Sequence, residues 1–384
     1  MQATALPYLA YRISGRPLDL GLIGVANTLP TLLFALPAGV LVERWDKRKT
    51  VILFQAIMSV QAFGLAFLAF AGHIQIWHIV AMAFFFGTAV AIEVTARQAM
   101  LIELAGREAL PSAIALQTTA FNIGRVLGPL AAAWLIALTG NEGSVFLANG
   151  ISFIFVIIGL LIARTTFKIE TRGNNERNLR NEFKEGLAYI RNDTIVLSVI
   201  LMAALIGFFG IPLVQQLPAL ARDVLRAAAD TEALIATRTS NLYAAQGVGA
   251  VIAALIVAYF SSFDKSKMLL IGQVSFIFPI IALGLVRHIN FAYVLLAFIG
   301  LGTVVQLVTM NTMIQISVPN GLRGRVFSIY FWALQGVAPF GSFVIGWMAQ
   351  TWNVPITIVV GGTICLAGII ALRLMFQSVR KTSG

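Results

Sequence analysis

Eleven stretches of this chain are apolar and long enough to cross a lipid bilayer, and nothing else in the sequence limits the fold so strongly. A helix that spans hydrocarbon needs about 20 apolar residues. The stretches run approximately over residues 20–42, 50–72, 74–92, 110–140, 143–163, 194–217, 239–263, 268–286, 289–313, 326–351 and 355–372. Only the fourth holds a charged residue, Arg125. The last two are split at Asn353 and Pro355, which punctuate a turn. Charged residues make up 11% of the chain, whereas a soluble domain carries about 25%. A soluble surface could not be covered so sparsely. Disorder is excluded by the 59% hydrophobic content, and a disulfide framework by the single Cys365. The chain reads as an all-α polytopic membrane protein.

The basic residues alternate between the two ends of these spans. Twenty of the 27 fall on one side, in the groups around Arg44–Lys49, Arg97 and Arg107, 164–191, Lys265 and Lys267, Arg323 and Arg325, and Arg373–Lys381. Six, namely Arg12, Arg16, Arg222, Arg226, Arg238 and Arg287, fall on the other. Cytoplasmic loops of membrane proteins are enriched in Lys and Arg. The first set is therefore expected in the cytoplasm, together with the C-terminus. The net charge of +11 then reports orientation, with no nucleic-acid partner implied. Residues 1–11 are apolar but too short to cross and lack a basic n-region, so they do not read as a signal peptide. They read as the outer part of a first helix.

The most polar segment, 164–193, lies centrally and reads as a cytoplasmic linker, with a short interfacial helix over 183–190. The flanking halves resemble each other weakly. Glu43-Arg44-Trp45-Asp46-Lys47 ends one span, and Phe263-Asp264-Lys265-Ser266-Lys267 follows another about 218 residues later. Gly124, Gly128 and Pro129 lie in one span, and Gly336, Pro339 and Gly341 in another about 210 later. Two parallel repeats are a known plan for transporters. The expected organisation is an N-terminal bundle (1–165), a linker (166–193), a C-terminal bundle (194–376) and a cytoplasmic tail (377–384).

The strongest local motif is Gly39-Val40-Leu41-Val42-Glu43-Arg44-Trp45-Asp46-Lys47-Arg48-Lys49. It resembles the cytoplasmic loop motif of the major facilitator superfamily, Gly-x-Leu-x-Asp-Arg-x-Gly-Arg-Arg/Lys, with Glu43 and Asp46 as departures. The Asp46 variant resembles the branch of enterobactin-type siderophore exporters and macrolide efflux proteins. Thr95-Ala96-Arg97-Gln98-Ala99-Met100, Ala115-Leu116-Gln117 with Gly124–Pro129, Leu217–Leu225 and Ala5–Tyr11 also resemble segments of that branch. The resemblance implies a fold of two six-helix bundles, with the first helix here truncated at its N-terminus. It also implies that Gly39, Glu43, Arg44, Asp46, Lys47 and Arg48 form a gate lock, echoed in the second half by Asp264, Lys265 and Lys267.

Gly124-x-x-x-Gly128-Pro129-x-x-Ala132-Ala133 resembles the superfamily's antiporter motif, in which small residues allow close packing and proline bends the helix. That resemblance implies exchange with protons. The superfamily's helix-four arginine has no counterpart near Ala83, which leaves the coupling residue open.

Polar residues inside a membrane are costly, about 2.5–3.5 kcal/mol for a central Arg, and so mark pathways or partners. Thr118, Asn122 and Arg125 are spaced to share a helix face and are candidates for contact with substrate. Gln306 and Gln335 are cavity candidates in the second half. Glu93 is the candidate for proton coupling, with a local pair to Arg97 as the simpler role. Enzymatic chemistry finds little support. The chain has no Gly-Lys-Ser/Thr phosphate loop, and its three histidines and one cysteine form no metal or nucleophile pattern. No cofactor or metal is expected.

The expected function is proton-driven export of a small amphipathic molecule, of siderophore or drug type, across the bacterial inner membrane by a monomer that alternates access. A lysophospholipid flippase in the same scaffold, or a membrane-embedded enzyme or sensor, are the alternatives.

Overall fold

The computed structural model describes residues 1–162, 179–227, 230–260, 263–319 and 322–375. The side chains of Gly39, Glu43, Arg44, Thr118 and Asn122 lie outside the described residues, although their backbones are helical. The elements in chain order are α1 (Gln2–Ser14), α2 (Pro17–Arg44), α3 (Lys47–Phe70), α4 (Ile76–Thr139), α5 (Gly143–Ile162) and α6 (Leu179–Asn192). There follow α7 (Thr194–Leu205), α8 (Ile211–Val214), α9 (Leu217–Asp223), α10 (Glu232–Tyr259), α11 (Lys265–Leu285) and α12 (Ile289–Ser317). The last are α13 (Arg323–Phe331), α14 (Ala338–Trp352) and α15 (Val354–Met375). Two π-turns, Ile206–Gly210 and Trp332–Gly336, join α7 to α8 and α13 to α14. Among the described residues no strand occurs, and eleven helical segments are long and apolar enough to span a bilayer.

Local chemistry sets the helix ends. Gly15, Gly72 and Gly140 adopt positive φ just beyond α1, α3 and α4, the conformation that glycine reaches without steric cost. Asn353 has φ 95° between α14 and α15, and its Oδ1 accepts the Ile356 N–H at 2.9 Å, which caps α15. The turn expected from Asn353 and Pro355 is therefore where the last two spans divide.

The two spans read at 74–92 and 110–140 are carried by one continuous helical element, α4. A straight α-helix of 64 residues would extend about 96 Å. Yet α4 starts six residues after Phe70 and ends four residues before Gly143, whose added Cβ would meet the Phe70 ring at 3.1 Å. The element must therefore fold back between its spans, Ile76–Leu101 and Thr119–Thr139. Helix α6 is longer than the 183–190 helix read from sequence.

The chain divides into two compact units. Unit 1 comprises Met1–Gly15, Val25–Asn174 and Ala229–Asn241. Its interior is tied by Gln2 Nε2 donating to Gln61 Oε1 (3.3 Å), Asn149 Nδ2 to Gln2 Oε1 (3.0 Å) and Ser59 Oγ to the Gly150 carbonyl (2.9 Å). Unit 2 comprises Arg16–Gly24, Asn175–Ala228 and Leu242–Gly384. Glycines bring its helices to backbone contact. A Cβ on Gly300 of α12 would sit 1.9 Å from the Gln246 carbonyl oxygen of α10. One on Gly249 of α10 would sit 1.8 Å from the Ala297 oxygen of α12. The two π-turns are close in space as well, since a Cβ on Gly207 would sit 2.1 Å from the Leu334 oxygen. Small residues are favoured at such crossings because lipid supplies no hydrophobic drive between helices, which leaves van der Waals fit to do it.

Candidate functional site

The loop motif lies where α2, α3, α4 and α5 converge in unit 1. Val42, Val51, Ala96 and Met100 form a buried cluster there, with Ile92, Ala99 and Leu160 packed against it. Helix α3 opens on Lys47-Arg48-Lys49, which is unfavourable next to the positive end of a helix. Asp46 offsets this. Its side chain accepts the Lys49 N–H at 2.9 Å and caps the helix. Arg48 reaches the far end of α5, donating through Nε to the Leu160 carbonyl at 3.0 Å and through Nη2 to the Leu161 carbonyl at 3.1 Å. Those carbonyls lie in the last described turn of α5, and a cation suits the negative end of a helix. Asp46 and Arg48 thus have explicit structural work inside unit 1.

Glu93 lies one layer deeper. Only 4% of it is exposed, and its Oε1 accepts from Gln55 Nε2 at 3.1 Å and from Arg97 Nε at 3.0 Å. The local pair to Arg97 exists, and Gln55 of α3 is a second donor that the sequence did not reveal. A glutamine inside an apolar span was the available signal.

Arg125 is half-buried on α4, between Thr118 and Asn122 in sequence on one side and Pro129 on the other. An added Cβ on Gly128 would meet the Met1 nitrogen at 2.9 Å, whereas one on Gly124 meets nothing within 4 Å. The close approach is therefore at Gly128 and the adjoining buried Pro129.

In unit 2, Asp264 repeats the role of Asp46, accepting the Ser266 N–H at 2.8 Å at the start of α11. Lys265 Nζ donates to the Phe263 carbonyl at 3.1 Å, and Lys267 is exposed. Gln306 is fully buried, pressed against Gly272, whose Cβ would meet its backbone nitrogen at 2.7 Å. Gln335 is exposed and sits inside the second π-turn. A neighbouring glutamine makes the polar contact in this core. Gln273 Oε1 accepts from Arg373 Nε (3.0 Å) and Nη2 (2.7 Å), and its Nε2 donates to Met202 Sδ at 3.3 Å. Helix α6 docks on α13 through a Glu185–Arg325 ion pair, and Tyr189 Oη donates to the Ser317 carbonyl at 2.9 Å.

Among the described residues no group of three or more His, Cys, Asp or Glu is placed to hold a metal ion. The arrangement is that of membrane-length apolar helices with capped, basic turns and buried polar ties. The family profile described as "transmembrane secretion effector" matches residues 1–383. The chain belongs to that family, within the major facilitator superfamily. It is similar to the multidrug efflux pump Tap of Mycolicibacterium fortuitum, with 22% identity over 90% of this chain and 84% of the pump. It is also 25% identical to the staphyloferrin A transporter of Staphylococcus aureus, over 90% of this chain and 85% of that protein. Macrolide efflux protein A of Streptococcus pyogenes is 23% identical over 99% of this chain and 92% of that protein. Among solved structures, a mutant of the nucleoside transporter NupG superposes with TM-score 0.74 at 11% identity, covering 97% of this chain and 94% of that one. A bacterial homologue of the human lysosomal transporter Spinster superposes with TM-score 0.72 at 16% identity, covering 100% and 95%. These superpositions establish the fold. This member of the transmembrane secretion effector family is a multi-pass membrane transporter of small molecules.

Proposed function

We propose that this transporter is a secondary active exporter of a small amphipathic molecule, of siderophore or drug type, in the bacterial inner membrane. The observation that carries this is the run of efflux pumps and siderophore transporters to which it is similar along most of its length. We propose further that it works as a monomer by alternating access and proton antiport, with the C-terminus in the cytoplasm. Glu93 is the proposed proton-coupling residue, and Thr118, Asn122, Arg125, Gln306 and Gln335 are proposed to serve the substrate pathway. The absence of a phosphate loop in the sequence supports an ion gradient as the energy source.

The test is export from a strain stripped of its own pumps. Expression of the chain is expected to lower accumulation of a macrolide or to raise secretion of a carboxylate siderophore. A protonophore is expected to abolish the effect. Export that survives full collapse of the proton gradient would overturn proton antiport, and movement of labelled lysophospholipid in place of both substrates would overturn the substrate class.

The gate-lock residues Gly39, Glu43, Arg44, Asp46, Lys47 and Arg48, with Asp264, Lys265 and Lys267 in the second half, are proposed to hold the cytoplasmic side closed in part of the cycle. Asp46 separates that role from capping. Asp46→Ala removes the cap and is expected to cost about 1 kcal/mol of stability. Asp46→Asn keeps a good cap and is expected to melt like the native chain while export falls. Equal melting and equal export in Asp46→Asn would leave Asp46 with capping alone.

A further inference from the structure

Helices α11 and α15 pack against each other in unit 2, and a notch of about 270 Å³ opens between the start of α11 and the end of α15. It is lined by Asp264, Ser266, Lys267, Leu270 and Arg373. The notch sits at one boundary of two membrane-length segments, Lys265–Leu285 and Val354–Met375. Deeper in the membrane both helices turn apolar side chains outward. On α11, Leu270, Ile271, Val274 and Phe278 are exposed, and they continue, at helical spacing, the face that begins with exposed Lys267. On α15, Ile370 and Leu374 are exposed. Such faces of spanning helices lie against acyl chains, which puts the polar notch at the level of the lipid headgroups.

The cations of the notch are set in place by the protein. Arg373 is half-buried in the last turn of α15, and its Nε and Nη2 donate to Gln273 Oε1 at 3.0 and 2.7 Å. Gln273 is buried and held in turn by Met202. A guanidinium oriented in this way loses little conformational freedom when an anion arrives. Asp264 brings the opposite charge, with its Oδ1 accepting the Ser266 N–H at 2.8 Å as the cap of α11. The notch thus offers two cationic side chains against one carboxylate.

We propose that this notch binds an anionic phospholipid with a hydroxylated headgroup, of the phosphatidylglycerol class. The lipid phosphate lies between Lys267 and Arg373, the glycerol hydroxyls donate to Asp264, and the acyl chains run along the exposed faces of α11 and α15. Basic pockets between spanning helices suit anionic headgroups, and charge-assisted hydrogen bonds to phosphate are the strong ones. A choline or ethanolamine headgroup carries its own cation, which offsets the attraction of its phosphate to Lys267 and Arg373. The site shares Asp264 and Lys267 with the proposed gate lock, but occupancy by lipid is measured without transport.

The experiment reads lipid next to the notch. Ile271→Cys, at a position 47% exposed on the face of Lys267, carries a bimane fluorophore after the buried Cys365 is changed to Ala. The protein is reconstituted in phosphatidylcholine vesicles with increasing phosphatidylglycerol that bears a nitroxide high on one acyl chain. Phosphatidylethanolamine and phosphatidylcholine bearing the same nitroxide are run in parallel. Phosphatidylglycerol is expected to reach half-maximal quenching at a mole fraction about tenfold below the other two, from two basic side chains of about fivefold each, partly offset by Asp264. Lys267→Gln, a change at an exposed side chain, is expected to cut that preference about fivefold while the melting temperature stays native. Lys265→Gln removes the same charge from a side chain outside the notch lining and is expected to keep the preference near native. Soluble glycerophosphate, which brings no acyl chains, is expected to leave the quenching unchanged. Equal quenching by the three lipids, stronger quenching by phosphatidylethanolamine, or displacement by glycerophosphate would overturn the proposal. So would a Lys267→Gln protein with the native preference, or equal losses in the two lysine variants. None of these outcomes bears on whether the chain exports a substrate, so the two readings fail separately.

Discussion

Gly300→Ala is expected to lower the melting temperature of the detergent-solubilised protein more than any conservative change in the gate motif. A methyl group there would sit 1.9 Å from the Gln246 carbonyl oxygen, far inside van der Waals distance. The obstacle is backbone, so no rotamer change relieves it, and α10 and α12 must move apart. Overpacking of this kind costs about 1–3 kcal/mol, and a rigid backbone contact belongs at or above the upper end. The reciprocal contact makes the prediction sharper. Gly249→Ala would drive α12 away at the Ala297 oxygen, 1.8 Å from the new methyl. Separation caused by the first substitution makes room for the second. The double variant is expected to lose clearly less stability than the two single losses combined, as coupled neighbours do. Additive losses would mean that the two crossings yield independently.

Glu93→Gln is expected to bring export to the background of empty membranes while leaving the melting temperature close to native. Glutamine keeps the shape of the side chain, and its amide oxygen can still accept from Gln55 and Arg97, which now converge on Glu93 Oε1. What is removed is the negative charge opposite Arg97, and with it the capacity to exchange a proton. Uncoupled, substrate-only movement such as counterflow down a concentration gradient is expected to persist. A Glu93→Gln protein that exports at the native rate would confine Glu93 to its structural pairing with Arg97. Loss of counterflow together with export would point to a disrupted pathway instead of a lost proton carrier.

The sequence carried the spans because a bilayer demands length and apolarity, and both are local properties. The eleven segments, the turn at Asn353 and the Glu93–Arg97 pair were all legible from residues close in sequence. The helical continuity of α4 was not. Residues 93–109 carry basic groups that were read as lying on the cytoplasmic side, yet most of the charged residues there, including Glu93, Arg97, Glu103 and Arg107, are also good helix formers. The charges of α1 and of the turn between α4 and α5 were legible only as loop charges. Arg12 and Glu142 pair at 2.9 Å but are far apart in sequence, and no periodicity connects them. The same holds for Arg48, read as part of a basic loop, whose contact with α5 spans 112 residues. Glycines such as Gly249 and Gly300 are common in spanning helices, so the two at a true crossing carry no distinguishing mark in one sequence.

The π-turns at Ile206–Gly210 and Trp332–Gly336 change how distances along this chain translate into directions. A π-turn accommodates about one residue more than an α-turn and advances the following helix by one position, roughly 100°. Everything beyond it is rotated, as if on an indexed shaft. Gln335 sits within the second of these turns, so its heading is set there and not by the α-helical period of α13. The helices that follow Gly210 and Gly336 thus take their headings from these two turns.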